Sequence, residues 1–198
     1  MLTVSELGSP GYYPTLFDLV EAYFSSDKVI YPADAFFPAG TSSAQLLKQE
    51  LADFEQSKAA ALTAAKANID PELVRNMKVS IKLQDVGGPS GGLMFTLGII
   101  DKVSPGSLTG GKNIAGTGTM AADGKVGPIG GIRQKLFTAS RAGDRFFLAP
   151  KENCLEILNH VPRGLRVVPV STVSDAIKYL SVIAHDGDIA QLPVCSAK

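Results

Sequence analysis

Tryptophan is absent from this chain of 198 residues, histidine and cysteine occur twice each, and 19 Lys and Arg balance 19 Asp and Glu to a formal net charge of +0. Each scarcity narrows the function. Balanced charge, with no run of one sign, gives no electrostatic pull toward nucleic acid or an anionic membrane. No segment is apolar over the ~20 residues that a spanning helix needs. The opening MLTVSELGSPGYYP lacks the basic flank and apolar run of a secretion signal. The chain itself is therefore expected to be soluble, whether or not it is the soluble part of something longer. Cys154 and Cys195 are too few for a disulfide scaffold. They are either two unrelated thiols or one bridge tying the C-terminal tail to the core, which would imply an oxidising compartment. Histidine is scarce where catalysis would need it. His160 lies at a helix end in NHVPRG and His185 in the polar AHDGD, so a Ser-His-Asp triad has no motif behind it. Cys154 has no glycine turn beside it and is a weaker nucleophile candidate still.

What is present is a hydrophobic fraction of 45%, enough for one domain with a real core and an appendage. The pattern divides the chain at about residue 70. Residues 1–70 read as a helical extension. PTLFDLVEAYF (14–24) has helical spacing, and a long Ala-rich helix from Ser43 to about Asn68 starts at a capping box of Ser42 and Gln45. Leu46, Leu47, Leu51, Phe54 and Leu62 form its expected core-facing stripe. Residues 71–198 alternate strand and helix, predicting an α/β or α+β domain of two layers. The expected strands are KVSIKLQ (78–84), NIAGTGTM and GKVGPI around a turn at Ala122-Asp123-Gly124, RFFLAP and LRVVPV. The expected helices are GLMFTLGIID, IRQKLFTASRAG ending at Gly143, KENCLEILNHV, and TVSDAIKYLSVIA capped by Thr172 or Ser174.

Chemistry concentrates in two glycine turns. Gly87-Gly88-Pro89-Ser90-Gly91-Gly92 lies between an expected strand and an apolar helix. Glycines allow a tight turn and close approach of a substrate, and Pro89 fixes φ ahead of the serine. Ser90 then sits at a helix N-terminus, where free N–H groups and the dipole can stabilise an oxyanion. A phosphate cradle would need Lys and Ser or Thr after the last glycine, where Leu93-Met94 stand. Taken alone, the turn leaves Ser90 either a nucleophile or an ordinary N-cap. A serine nucleophile needs a base. A lysine serves if its pKa falls from about 10.4 to roughly 7–8, a change worth about 4 kcal/mol. Lys135 follows the turn Pro128-Ile129-Gly130-Gly131, in the first turn of a helix whose dipole disfavours a cation, among apolar Ile132, Leu136 and Ala139. Lys125, Lys112 and Lys151 stand in loops or at element starts and read as exposed.

Together the two turns resemble the proteolytic domain of the Lon family. That family pairs a G-P-S-A-G turn with a P-I-G-G-[LI]-[KR]-[EQ]-K helix start. This chain reads GGPSGG and PIGGIRQK, with ASRAG, a strand and P-x-x-N following. The resemblance runs from Asp85 to Asn153. It implies Ser90 as nucleophile and Lys135 as base, 45 residues apart, with backbone at Gly88, Ser90 and Gly91 holding the oxyanion or substrate and Thr117 or Thr119 orienting the lysine. The implied fold is that of the Lon proteolytic domain, ribosomal protein S5 domain 2-like. DVGGPSGGLMF and IAGTGTMAADGKVGPIGGI are most similar to the membrane-anchored PDZ–Lon proteases of bacteria. That likeness implies a parent held at the cell membrane with its protease on the extracytoplasmic face, and a PDZ domain missing near Ile69–Pro71. It favours a Cys154–Cys195 disulfide.

Three departures stand out: Gly91 where the family has Ala, Gly87 where ATP-dependent members carry an acidic residue, and AGTGT where they have T-G-E. With no ATPase motif, the expected activity is ATP-independent cleavage of unfolded or extended polypeptide, laid against the strand leading into Gly87. No metal, cofactor or nucleic acid is expected, membrane contact is expected only through a missing anchor, and a homo-oligomer is left open. The rival classes are an inactive member that binds peptides and a scaffold module using the helical arm.

Overall fold

A computed structural model describes residues 7–25, 28–37, 40–75, 77–81 and 87–196. The N-terminal part holds helices α1 (Leu16–Phe24), α2 (Ala33–Phe36), α3 (Ser43–Lys66) and α4 (Pro71–Val74). Thr15 and Ser42 start α1 and α3 through reciprocal capping boxes with Asp18 and Gln45. Helix α5 (Gly92–Val103) follows the first glycine turn. Then come β1 (Ile114–Gly116), β2 (Thr119–Met120), β3 (Val126–Gly127), α6 (Ile132–Arg141) and β4 (Phe146–Pro150). A 3-10 turn leads into α7 (Cys154–Ile157), then β5 (Arg166–Val170) and α8 (Val173–Ala184), which Thr172 caps. Helix α6 ends as its sequence implies. Gly143 takes φ 81, and the Asp144 N–H reaches back to Ala139 O.

Three parallel strands form the sheet, in the order β1-β4-β5. The β1 to β4 crossover carries α6 and the β4 to β5 crossover carries α7, as parallel pairing requires. Strands β2 and β3 make a separate antiparallel hairpin. Alternation along β4 and β5 sends Leu148, Val168 and Val170 to one face and Phe147, Ala149 and Val167 to the other. The first face is covered by α3, α5 and α8, through residues such as Ala64, Leu97 and Leu180. The second is covered by α6 and α7, through Ile132, Leu136, Ala139 and Ile157. Each large aliphatic side chain sealed this way contributes about 1.5–3 kcal/mol. The molecule is therefore mixed helix and sheet, as expected, with helices on both faces.

Four elements depart from the sequence reading. Residues 78–81 form no strand, and 82–84 lie outside the described residues. The alternation of Val79 and Ile81 reflects side chains packed on the first core cluster. The stretch NIAGTGTM is not one strand. It breaks at Thr117-Gly118, where the Gly118 N–H turns away to Ser90 O, so β1 joins the parallel sheet and β2 the hairpin. Of the stripe expected on α3, Phe54 is buried and Leu62 packs half-buried on the first core cluster, but Leu47 and Leu51 do not face the core. Leu47 and Leu51 are 57% and 50% exposed, while Phe54, Ser57, Ala61, Ala64 and Ala65 are buried. Small residues win that face because α3 runs close against α5. Finally, the helix expected over KENCLEILNHV shortens to α7, and the backbone at Asn159 is left-handed, φ 65. Among the described residues no helix is long and apolar enough to cross a membrane.

Candidate active site

The two faces of the sheet meet at the carboxyl end of its edge strand, β1. Thr117, the residue after β1, continues the ladder by donating its N–H to Leu148 O. Beyond it nothing divides the layers, and the starts of α5 and α6 approach each other.

Lys135 comes from the second layer. Gly131 precedes α6 with φ 67, a left-handed conformation that glycine adopts freely. Ile132, Lys135, Leu136 and Ala139 share one helical stripe, and all four are buried. The amphipathic pattern that seats the helix thus carries the lysine inward, leaving it 5% exposed. Burial lowers its pKa from 10.5 to about 8. The turn ahead of α6 is clamped by Asn153. Its Oδ1 accepts the Ile129 N–H at 3.0 Å, and its Nδ2 donates to Ile129 O at 2.9 Å. Nδ2 also reaches Glu156 Oε2 at 3.2 Å.

Ser90 comes from the first layer, on the turn before α5. Two successive peptides there are gripped by their carbonyls. Pro89 O accepts Ser57 Oγ–H at 3.1 Å and the Gly92 N–H at 3.2 Å. Ser90 O accepts Thr117 Oγ1–H at 3.0 Å and the Gly118 N–H at 2.9 Å. The N–H groups of Ser90 and Gly91 have no acceptor among the described residues. Gly92 is packed so tightly that a Cβ there would lie 2.7 Å from Met120 Cβ and 2.9 Å from Ser57 Oγ.

The two halves join at Lys135 Nζ, which lies 2.9 Å from Ser90 Oγ and 3.2 Å from Thr117 Oγ1. The structure therefore brings together Ser90, Lys135, Thr117 and Gly91. Thr119 makes no bond to Lys135, and its Oγ1 faces Gly127 instead. Gly88 cannot supply an oxyanion donor, because its N–H is taken up by Glu50 O at 3.0 Å. Cys154 and Cys195 are joined as a disulfide. His160 and His185 are exposed, the latter holding Ser181 O through Nδ1. Asp85 lies outside the described residues. Among the described residues no cluster of His, Cys, Asp and Glu could hold a metal. Sequence reasoning missed Ser57 and the clamp made by Asn153. The signal for Ser57 was a lone hydroxyl within the Phe54, Ala61, Ala64 repeat. For Asn153 it was the P-x-x-N that closes the motif.

A hydroxyl beside a buried amine, at a helix start with two N–H groups lacking acceptors among the described residues, is an arrangement that can support serine-type hydrolysis. Residues 47–182 match the Lon protease (S16) C-terminal proteolytic domain, and the chain belongs to that family of serine-type peptidase domains. The match takes in α3 from residue 47. The Lon protease of Azospirillum brasilense is 39% identical over 98 residues, covering 48% of this chain and 12% of that protein. That of Chloroflexus aggregans is 34% identical over 122 residues, 58% of this chain and 15% of its own length. That of Desulfatibacillum aliphaticivorans is 31% identical over 136 residues, 63% and 16% respectively. The aligned region is thus a small part of those relatives.

Proposed function

We propose that this chain is an ATP-independent serine endopeptidase in which Ser90 is the nucleophile and Lys135 the general base. The observation supporting this most directly is the 2.9 Å approach of a buried lysine amine to the serine hydroxyl. With a pKa near 8, the amine is neutral in a useful fraction at physiological pH. One amine N–H donates to Thr117 Oγ1, which leaves the lone pair facing Ser90. Lys135 takes the Ser90 proton as Oγ bonds to a peptide carbonyl carbon. The oxyanion that forms rests on the Ser90 and Gly91 N–H groups. Lys135 then gives its proton to the amide nitrogen, the C–N bond breaks and an acyl-enzyme remains. Lys135 next takes a proton from water, whose oxygen attacks the ester. Collapse releases the acid and returns the proton to Ser90.

The substrate is an unfolded or extended polypeptide, because a peptide bond must reach the turn at residues 88–91 unencumbered. By the likeness of DVGGPSGGLMF and the PIGG stretch, the parent is a PDZ–Lon protease outside the cytoplasm, and the Cys154–Cys195 bond fits an oxidising compartment.

The test is incubation of the chain with a permanently unfolded protein without nucleotide. The parent should cleave it, and Ser90→Ala and Lys135→Ala should each lose at least about a thousandfold in kcat/KM. Cleavage surviving either substitution would overturn the dyad. Binding without cleavage by the parent would make the chain a peptide-binding module instead.

A further inference from the structure

We infer that Ser57, on helix α3, is a positioning residue for the oxyanion donors, so that α3 is part of the catalytic apparatus. The inference rests on the reading of Ser90 as nucleophile and goes beyond it. Ser57 is 4% exposed, a hydroxyl on an otherwise apolar face. A buried hydroxyl must be paired, and the partner of this one is Pro89 O at 3.1 Å. That carbonyl belongs to the same peptide unit as the Ser90 N–H. The unit is planar and trans, with no cis bond among the described residues, so the carbonyl and the N–H point in opposite directions. Holding the oxygen from α3 therefore aims the Ser90 N–H away from α3, toward the side where a substrate carbonyl would arrive.

The neighbouring unit is held in the same way. Ser90 O is gripped by Thr117 and Gly118, which fixes the Gly91 N–H. Two adjacent peptides thus have their carbonyls anchored from behind and their N–H groups without acceptors among the described residues. Ser57 is the side-chain anchor of the first unit and Thr117 of the second. The Gly92 N–H also reaches Pro89 O, but it lies on the same turn and moves with it. Ser57 ties the turn to a separate helix. The packing leaves little play, since a Cβ on Gly92 would sit 2.9 Å from Ser57 Oγ.

A donor held in place before reaction acts on the transition state far more than on the bound substrate. Ser57→Ala is therefore expected to lower kcat about tenfold with KM within twofold of the parent. Affinity for a peptide aldehyde, which forms a tetrahedral adduct on the serine, should fall by the same factor. Affinity for the matching non-covalent peptide amide should not change. Ser57→Thr, which keeps the hydroxyl, should recover most of the rate. Should Ser57→Ala fail to fold, Ser57→Cys keeps the volume with a weaker donor and should show a smaller loss of the same kind. A folded Ser57→Ala with parental kcat overturns the inference, as does a loss carried entirely by KM. Ser90→Ala run alongside separates the two readings. If it abolishes cleavage while Ser57→Ala does not slow it, only the role of Ser57 falls. If Ser90→Ala cleaves normally, the dyad falls and this inference with it.

Discussion

At the scale of single residues, burial of Lys135 has two measurable consequences. Its pKa falls to about 8 from 10.5 because the cation loses water on entering the interior. The base must be neutral, so kcat/KM of the proposed reaction should rise about tenfold per pH unit below that value and level off above it. A profile falling through pH 8 would contradict this. The second consequence concerns stability. A lysine whose folded-state pKa is depressed costs folding free energy below the folded value, about 3 kcal/mol at pH 7. That cost fades as pH rises from about 8 to 10.5. Lys135→Met should therefore be inactive yet more stable at pH 7 by about 1–3 kcal/mol. Its advantage should shrink in denaturant titrations at pH 10. Much of this was legible, since a lysine within the Ile132, Leu136, Ala139 stripe announces its own burial. Ser57 gave a far weaker signal, because a serine near alanines is equally at home on an exposed face.

At the scale of elements, the two glycine-started helices could be read because their turns constrain backbone and chemistry together. Capping boxes at Thr15, Ser42 and Thr172 likewise express local bonds that neighbours in sequence determine. What escaped were the features set by distant partners. The face of α3 is chosen by its fit against α5, and alanine gives no warning of that. The break at Thr117-Gly118 exists because Ser90 O, far away in the chain, receives the Gly118 N–H. Two expectations follow. Gly92→Ala should wedge α5 from β2 and α3, costing about 1–3 kcal/mol with a matching drop in melting temperature. Asn153→Ala leaves both polar groups of Ile129 without their side-chain partner. It should cost about 2–3 kcal/mol and slow cleavage through the turn that carries Lys135.

At the scale of the whole molecule, the two ends of the chain relate to the core differently. Helix α1 buries none of its residues, and Phe17 and Phe24 are 86% and 82% exposed. Replacing Phe17 and Phe24 together by serine should therefore leave the melting temperature nearly unchanged. Removing residues 1–70 should prevent folding, since it strips Ala64, Ala65 and Ile69 from the first core cluster and takes away the packing of α3 on α5. At the other end, the Cys154–Cys195 bond closes a span of 41 residues. Arg166 Nη2 holds Leu192 O beside it at 3.0 Å. Cys195→Ser should lower stability by about 2–4 kcal/mol. The parent in reductant should unfold at the same denaturant midpoint as that variant.

The serine and the lysine belong to layers on opposite sides of the sheet and touch only past the tip of its edge strand. Neither half of the domain holds a working pair alone. A polypeptide emerging from the ribosome, or one partly opened by stress, would carry both side chains and cut nothing. On the proposed chemistry, the protease is silent until it has finished folding, so an unfinished copy cannot cut itself or its neighbours.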